Sequence, residues 1–198
     1  MRLIIQRSIK EEIIISGCRN KHSRAQKLLF EKYAAKMSAV CRRYIKDPSE
    51  AESVMIGGFI KVFEKILQYK GDGIFEGWVR KIMINESLIY LRKNRYMYLE
   101  VDISNADYEP DYDLLNNRLD AEDLMEIVQK LPEGYRTVFN LYAIEGFTHK
   151  EIGEKLEINV NTSKSQLSRA RKLLQKYLQE RELWEKKKMI SYEKLLVE

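Results

Sequence analysis

The sequence predicts an all-α protein made of two small helical domains that are joined by an acidic linker. The first observation is that the 198 residues include only 9 glycines and 3 prolines, so turn-forming residues are sparse. The second is that apolar residues recur at three- and four-residue spacing, the period of amphipathic helices. The third is an uneven charge, with a net +4 in residues 61–96, −7 in residues 101–123 and +5 in residues 159–178. Two basic modules around an acidic connector indicate a polyanionic partner.

The first part of the chain, residues 1–22, is assigned to a separate N-terminal segment. Its apolar runs are broken by Arg, Lys and Glu and no small-residue cleavage site follows, so a signal peptide is not predicted. No stretch of the chain approaches the roughly 20 apolar residues that cross a bilayer. Cys18 and Cys41 lack metal-ligand spacing, which favours a reducing compartment. The sequence therefore predicts a cytoplasmic protein that holds neither a metal nor a cofactor.

Three amphipathic helices are predicted in the first domain, which spans residues 23–95. They cover residues 23–46, 49–68 and 75–94. Their core-facing residues are Leu29, Tyr33, Met37, Val40, Tyr44 and Ile45 in the first, Val54, Phe59, Val62, Phe63, Ile66 and Leu67 in the second, and Phe75, Trp78, Val79, Ile82, Met83 and Leu91 in the third. Asp47, which a proline follows, is the predicted N-cap of the second helix.

Four shorter helices are predicted in the second domain, which spans residues 119–178. They cover residues 119–130, 132–144, 148–156 and 159–178. The third begins with a threonine that a glutamate follows three residues later, which is the pattern of a capping box. The fourth carries five basic side chains and no acidic one.

This basic helix has two different faces when it is projected at 100° per residue. The apolar face holds Ser163, Leu167, Ala170, Tyr177 and either Leu173 or Leu174. The opposite face holds Asn161, Thr162, Ser165, Ser168, Arg169 and Lys172, with Gln166 at its edge. A charged helix face is usually only solvated, but this one lacks the acidic residues that form i,i+4 ion pairs on such faces.

The segment before the basic helix indicates that its partner is DNA. A capped helix, a short turn and a longer helix with an apolar inner face form the helix-turn-helix plan, in which the second helix enters the major groove. Short side chains near the start of that helix allow a close approach to the duplex. Gln166 and Arg169 suit base edges, whereas Ser165 and Lys172 suit phosphates.

Four stretches of the sequence resemble a known family. FTHKEIGEKLEINVNTSKSQLSRARKLL resembles region 4 of bacterial sigma factors, their promoter-binding helix-turn-helix, and its TSKSQLSRARKLL part is close to the extracytoplasmic-function (ECF) group. YRTVFNLYAIEGFTHKEIGEKL is similar to the helices that precede it. DPSEAESVMIGGFIKVFEKI resembles the part of region 2 that binds the polymerase beta-prime subunit, and GIFEGWVRKIMINESLIYLRKN the part that opens the −10 promoter element. The resemblance covers residues 23–178.

The resemblance implies a non-enzymatic protein that gives core RNA polymerase its promoter specificity. Its fold would be a region 2 helical bundle and a region 4 helix-turn-helix. The acidic linker, residues 96–118, would thread the polymerase channel near the RNA exit. The implied partners are core RNA polymerase, through its beta-prime clamp and beta flap, promoter DNA and an anti-sigma factor, with no small-molecule substrate.

Carried over position by position, the resemblance implies three sets of site residues. The −35 element would be contacted by Asn161, Thr162, Lys164, Ser165, Gln166, Arg169, Arg171 and Lys172. The −10 element would be contacted by Tyr69, Lys70, Trp78, Arg80, Lys81, Asn85, Arg92 and Lys93, with residues 69–73 as a base-capturing loop. Polymerase would be contacted by Glu52, Ser53, Ile56, Phe59 and Phe63. Arg171 lies near the apolar face of its helix, so packing or a phosphate contact is expected of it and base readout is not.

The polymerase-binding helix departs from the family pattern. The family reads close to AEDVVQEVF where this chain has AESVMIGGF. Ser53, Ile56 and Gly57 thus replace an acid, a glutamine and a second acid, and Ile89 replaces an aspartate before YLR. The surface is therefore less polar than the pattern. This predicts a weaker or altered affinity for polymerase, or another protein that covers the same face.

Several alternatives stay open at the level of sequence. A self-standing helix-turn-helix regulator would bind duplex DNA without polymerase. A recombinase needs a nucleophile and acids in one site, and the serines here have no such constellation. A protein-interaction module with a basic face would bind its partner without DNA. Trp78 is either a base contact or a core residue, residues 96–118 either thread a channel or form a simple tether, and residues 179–198 are either a helical extension or a solvated end.

Overall fold

The computed structural model describes the backbone of residues 2–94 and 121–195, and the side chains of residues 11–94 and 125–181. Within these ranges every regular element is a helix, so the predicted all-α class is confirmed. The chain divides into two compact units, Met1–Arg95 and Tyr96–Glu198. The acidic linker predicted for residues 96–118 lies outside the described residues.

The predicted helices occur in the predicted order, and the first unit has one further helix before them. In the first unit they are α1 (Arg2–Arg19), α2 (Ser23–Tyr44), α3 (Pro48–Lys65), a 3-10 turn (Ile66–Gln68) and α4 (Phe75–Lys93). In the second unit they are α5 (Ala121–Lys130), α6 (Glu133–Phe139), a π-helical turn (Asn140–Ile144), α7 (His149–Leu156) and α8 (Val160–Leu195). A search of the described residues finds no helix with the length and apolar character to span a membrane.

Helix α1 packs against α2, although the sequence assigned residues 1–22 to a separate segment. Ile15 and Cys18 of α1 are buried, and the two helices approach closely at Gly17. A Cβ atom on Gly17 would lie 2.6 Å from the Cβ atom of Ala25, so only glycine permits this approach. The periodicity did not reveal α1 because three consecutive isoleucines give it no one-sided apolar stripe.

The core of the first unit is formed by α2, α3 and α4. All six residues predicted to face inward from α2 are buried, and the side chain of Asp47 accepts a hydrogen bond from the Glu50 amide at 2.9 Å, which confirms the predicted cap. Leu67 is a correction, because it was predicted to face inward and its side chain is 75% exposed. The α-helical register ends at Ile66, where the chain tightens into the 3-10 turn, so a projection at 100° per residue no longer applies.

Two adjacent glycines in the middle of α3 differ in their surroundings, and this predicts opposite effects of alanine. A Cβ atom on Gly57 would have no neighbour within 4 Å, whereas one on Gly58 would lie 2.4 Å from Sδ of the buried Met83. We expect Gly57→Ala to stabilise the first unit by about 0.5–1 kcal/mol, because alanine restricts the unfolded chain. We expect Gly58→Ala to destabilise it by about 1–3 kcal/mol through overpacking.

Hydrogen exchange of the α3 amides measures both effects in the full chain. Each variant is the matched control for the other, since both introduce the same methyl group into the same helix. If both variants changed the stability of the first unit by the same amount, the assignment of Gly58 as the close-contact position would be contradicted.

The core of the second unit joins α5, α6 and α8. Its buried cluster consists of Ile127, Val128, Leu131, Tyr135, Ala170, Leu174 and Leu178. Helix α7 packs against the N-terminal half of α8. Ile152 and Leu156 of α7 and Leu167 of α8 are buried. The π-helical turn leads from α6 towards α7, and Phe147 N donates to Leu141 O at 2.9 Å. Up to Leu178, one face of α8 therefore packs into the core and the other faces outward.

Candidate nucleic-acid and polymerase interfaces

The second unit contains the predicted helix-turn-helix, formed by α7 and the start of α8. Thr148 begins α7 with a complete capping box. Its Oγ1 accepts a hydrogen bond from the Glu151 amide at 3.3 Å, and its amide donates to Oε2 of Glu151 at 2.8 Å. The predicted capping box is confirmed. It satisfies two amides at the helix start that otherwise lack partners.

The turn between α7 and α8 depends on a close backbone approach. Glu157 adopts a left-handed conformation with φ of 57°, and Ile158 N donates to Gly153 O at 3.1 Å. A Cβ atom on Gly153 would lie 2.9 Å from the Ile158 carbonyl oxygen, so the glycine allows the chain to fold back on α7. Oδ1 of Asn159 then accepts from the Asn161 amide at 2.8 Å and caps α8.

The two faces predicted for α8 are present in the structure. The buried residues of its first five turns are Ser163, Leu167, Ala170, Leu174, Gln175 and Leu178. Among the predicted −35 readers, Asn161, Lys164 and Ser165 are exposed, and Thr162, Gln166, Arg169, Arg171 and Lys172 are half-buried. All of the candidate −35 readers are therefore at least partly accessible.

Two of the candidate readers direct a side-chain oxygen towards the protein itself. The Ser165 hydroxyl donates to Thr162 O at 3.0 Å. Oε1 of Gln166 is buried and has no hydrogen-bond partner among the described residues. A glutamine pairs with adenine through both its oxygen and its nitrogen. The Gln166 side chain must therefore rotate before it can make that pair.

Arg171 packs against the ring of Tyr142, as expected from its place near the apolar face. Its Cζ atom lies 5.7 Å from the centre of the Tyr142 ring, which in turn stacks on His149 at 4.7 Å. Nδ1 of His149 shares a hydrogen bond of 2.9 Å with Oγ of the buried Ser163. We call these four side chains the His149 cluster. It fixes α8 against α7 and the π-helical turn, and sequence reasoning missed it because its members lie on three separate elements.

The His149 cluster predicts a pH dependence of the second unit. Burial lowers the pKa of His149 below its usual value of 6.5, and Lys164 and Arg171 lower it further. The folded state thus favours the neutral imidazole. The contribution of the neutral His149 side chain to the stability of the folded unit is complete above about pH 6.5. It is lost as the pH falls below that value, because the unfolded chain then binds a proton more readily than the folded chain does. We expect the second unit to become less stable as the pH falls below about 6.5.

Urea unfolding followed by circular dichroism checks this expectation. His149→Gln is the control, because a glutamine retains a hydrogen-bonding side chain and does not titrate in this range. The stability of the variant should therefore change less with pH. Identical pH profiles for the wild type and the variant would contradict the role of His149.

In the first unit, two of the predicted −10 residues, Tyr69 and Trp78, form an aromatic cluster with Phe75 at the start of α4. The Tyr69 ring lies 4.9 Å from that of Phe75 and 5.7 Å from that of Trp78. The Tyr69 hydroxyl donates to Gly73 O at 2.7 Å and closes the loop of residues 69–73. Trp78 is half-buried, so its ring packs inward on one side and is accessible on the other.

Most, but not all, of the predicted −10 residues on α4 share a face. At 100° per residue, Trp78, Lys81, Asn85 and Arg92 fall within an arc of about 60°. Lys93 lies about 60° outside this arc, and Lys70 is exposed on the loop. Arg80 is a correction, because it is half-buried and falls on the opposite side of α4, in the arc of the buried core residues.

The predicted polymerase surface on α3 is changed by the structure. Glu52, Ser53 and Ile56 are exposed and Phe63 is half-buried. Phe59 is a correction, since it is only 2% exposed and its ring lies 4.8 Å from that of Phe30 in the core.

Ile60 takes the place of Phe59 on this surface. It is 53% exposed and follows Ile56 by one helical turn. The i,i+4 spacing of the two isoleucines in the sequence could have indicated that they share a face. The exposed surface of α3 therefore consists of Glu52, Ser53, Ile56, Ile60 and part of Phe63.

Cysteine and acidic side chains form no metal centre in the described part of the chain. No group of three or more His, Cys, Asp and Glu residues there has the geometry to hold an ion. Burial raises the pKa of the Cys18 thiol and raises that of Cys41 to about 11. The two thiols are thus core residues in their protonated form at neutral pH.

Comparison with known proteins agrees with the two units. The model of sigma-70 region 2 matches residues 29–96, and the model of sigma-70 region 4 matches residues 121–174. The first match contains α3 and α4, and the second contains the helix-turn-helix up to Leu174.

Individual relatives extend this similarity along the chain. The chain is 26% identical over 183 residues to RNA polymerase sigma-H factor of Pseudomonas aeruginosa, covering 86% of this chain and 94% of that protein. It is 25% identical over 183 residues to ECF RNA polymerase sigma-E factor of Haemophilus influenzae, covering 86% and 96%. A solved structure of sigma factor RpoE with anti-sigma factor NepR from Bartonella quintana matches with a TM-score of 0.47 and 22% identity, over 77% of this chain and 96% of that one. The two sigma-70 models together cover most of both units, so the chain belongs to the sigma-70 family of RNA polymerase sigma factors, and relatives of the extracytoplasmic-function group match most of its length.

Proposed function

We propose that this chain directs core RNA polymerase to specific promoters, with the first unit opening the −10 element and the second unit reading the −35 element. The observation that carries the proposal is that one chain holds two different accessible faces whose side chains suit DNA. One is the face of α4 that combines Trp78 with cations, and the other is the acid-free face of α8. A self-standing regulator has use for the second surface alone. The proposed role is non-enzymatic, uses no cofactor and takes place in the cytoplasm.

Within the second unit, we assign base readout to the accessible side of α8. Arg169 and Gln166 carry the donors that pair with base edges, and Thr162 and Ser165 are short enough to let the backbone approach. Lys164 and Lys172 are placed to contact phosphates. Arg171 supports this surface through the His149 cluster and does not read bases.

The first unit opens the −10 element in this proposal. Tyr69 and Trp78 supply aromatic surfaces on which unstacked bases can stack, since every base has a π face. Lys81, Arg92 and Lys93 carry the charge that attracts the phosphate backbone of the separated strand.

Core RNA polymerase is the proposed protein partner. The exposed surface of α3 would bind the beta-prime clamp and the second unit the beta flap. Since Ser53, Ile56 and Gly57 leave this surface less polar than the family pattern, we expect the triple variant Ser53→Asp, Ile56→Gln, Gly57→Glu to bind core polymerase more tightly than the wild type. A fluorescence titration of each protein with core polymerase measures the difference, and equal affinities would reject the expectation.

An anti-sigma factor is the second proposed protein partner. Ile56 and Ile60 expose aliphatic surface on consecutive turns of α3. A protein that covers these side chains would keep the chain from polymerase and would itself be displaced by polymerase. Competition between the two for the labelled chain tests this part of the proposal.

Run-off transcription tests the whole proposal. Purified core polymerase is incubated with a genomic DNA library, with and without the chain, and the transcripts are sequenced. We expect a set of transcripts that begins at a shared promoter sequence only when the chain is present. DNA binding without polymerase and without transcripts would favour the self-standing regulator, and partner binding that needs no DNA and is insensitive to salt would favour an interaction module.

A further inference from the structure

Helix α1 packs in the first unit but contributes none of the residues assigned to DNA or polymerase. It lies before residue 29, where the match to sigma-70 region 2 begins. Its last turn is held by the close contact of Gly17 with Ala25 and by a hydrogen bond of 3.0 Å from His22 N to Gly17 O. The C-terminal end of α1 therefore has one defined place relative to α2.

The last residue of α1 reaches the base-capturing loop. Nη2 of Arg19 donates a hydrogen bond of 2.6 Å to the carbonyl oxygen of Tyr69, fifty positions away in the sequence. Tyr69 follows the 3-10 turn and is the first residue of the loop that runs to Gly73. A hydrogen bond from a guanidinium group is stronger than one between neutral groups, because the donor is charged.

Tyr69 in turn shapes the rest of this loop. Its hydroxyl donates to Gly73 O, and its ring contacts Phe75 and Trp78. Gly71 and Gly73 have φ values of 89° and 103°, a region that favours glycine. A glycine can also adopt many other backbone conformations, because it has no Cβ atom. Contacts that fix Tyr69 therefore select one conformation of a loop whose glycines permit several.

Helix α1 also supports the aromatic cluster from a second point. The Glu11 carboxylate accepts a hydrogen bond from the Tyr33 hydroxyl. The Tyr33 ring lies 5.9 Å from that of Phe75, which is itself in contact with Tyr69. Glu11 and Arg19 thus act on the same loop from two turns of one helix.

The loop presents side chains that suit unpaired bases. Leu67 before it and Ile74 after it are 75% and 79% exposed. Apolar side chains of this kind insert against bases that have left the stack, while the exposed Lys70 suits the phosphate backbone. The positions of these three side chains depend on the conformation of the loop between them.

We infer that Arg19 is a positioning residue for promoter opening, because it ties the carbonyl of Tyr69 to α1 and holds the base-capturing loop in its binding conformation before DNA arrives. A preformed loop avoids the ordering cost that a mobile loop pays on binding. The inference rests on the proposed function of the first unit. It assigns to α1, which lies outside the matched region, a part in the capture of single-stranded DNA.

Arg19→Met tests the inference, because methionine keeps an aliphatic stem and removes the donor. Arg19→Lys keeps both a donor and the charge. Each variant is assembled with core polymerase on a promoter recovered by run-off transcription, and unpaired thymines are detected with permanganate. We expect Arg19→Met to lower the opened fraction about three- to tenfold, the range of one net hydrogen bond, and Arg19→Lys to retain most of the opening. Binding to the closed duplex at low temperature should change less than about twofold, because the second unit carries it.

Arg24→Met is the matched control, since it removes the same charge from an exposed position on α2. Opening by Arg19→Met at the wild-type level would overturn the inference, and so would an equal loss in Arg24→Met or an equal loss of duplex binding. Failure of the wild-type chain to open any promoter would instead reject the proposed function, so the two failures are distinguishable.

Discussion

Replacing Arg136 with alanine is expected to destabilise the second unit by about 3–5 kcal/mol. The side chain is 0% exposed, Nη1 donates to Leu131 O at 3.5 Å and Nη2 lies 3.6 Å from Oε1 of Glu133. Burial lowers the pKa of Arg136, partly opposed by the Glu133 charge, yet the guanidinium keeps its proton at neutral pH. Alanine would leave a large cavity on α6, and it would remove a donor from a buried carbonyl.

Two further variants separate volume from charge at Arg136. Arg136→Met fills much of the space without a charge, so we expect it to cost less than half as much as alanine. Lys176→Ala is the surface control, because Lys176 is exposed and its ion pair with Glu180 spans 3.9 Å, and we expect a change within about 0.5 kcal/mol. Hydrogen exchange of the α6 and α8 amides measures all three. If Arg136→Ala lowered the free energy of unfolding by less than about 1 kcal/mol, the buried guanidinium would not stabilise the unit.

The second large effect is expected on DNA binding by α8. Arg169→Ala should weaken binding to the −35 element by about 1–3 kcal/mol and relax the preference for one base pair, because arginine pairs with guanine through two hydrogen bonds. Lys164→Ala should weaken binding evenly across sequences and reduce the slope of log affinity against log salt by about 1, the signature of one lost phosphate contact.

Fluorescence anisotropy with labelled promoter duplexes at several salt concentrations separates the two outcomes. Lys27→Ala is the control, since Lys27 is exposed on α2 in the first unit and loses the same charge. A uniform loss of affinity for Arg169→Ala over all base substitutions would assign it to the phosphate backbone. An unchanged salt slope for Lys164→Ala would remove Lys164 from the interface.

Local signals made the helices and their ends predictable. The caps at Asp47 and Thr148 use side chains that lie within three residues of the amides they satisfy, so the sequence contains both partners. The apolar stripe of α2 and the two faces of α8 follow from a helical period of 3.6 residues, which is a property of each segment alone.

Long-range contacts decided which accessible residues form a surface. Phe59 and Ile60 are neighbours of similar apolar character, yet Phe59 packs on Phe30 and Ile60 remains exposed. Arg80 falls on the buried side of α4 although it is charged. These outcomes depend on which helix covers which face, and a single-segment pattern does not contain that information.

By itself, the sequence determined the helical class, the order of the helices from α2 to α8, two of the capping residues and the resemblance to a promoter-recognition family, because each depends on residues close together in the chain. Only the tertiary structure decided that α1 joins the first unit, that Gly58 and not Gly57 is the close-contact position, and that Arg19 meets Tyr69. Each of these depends on a contact between elements that are separated along the sequence. Burial, close approach and hydrogen bonding between such elements arise only when the chain has folded.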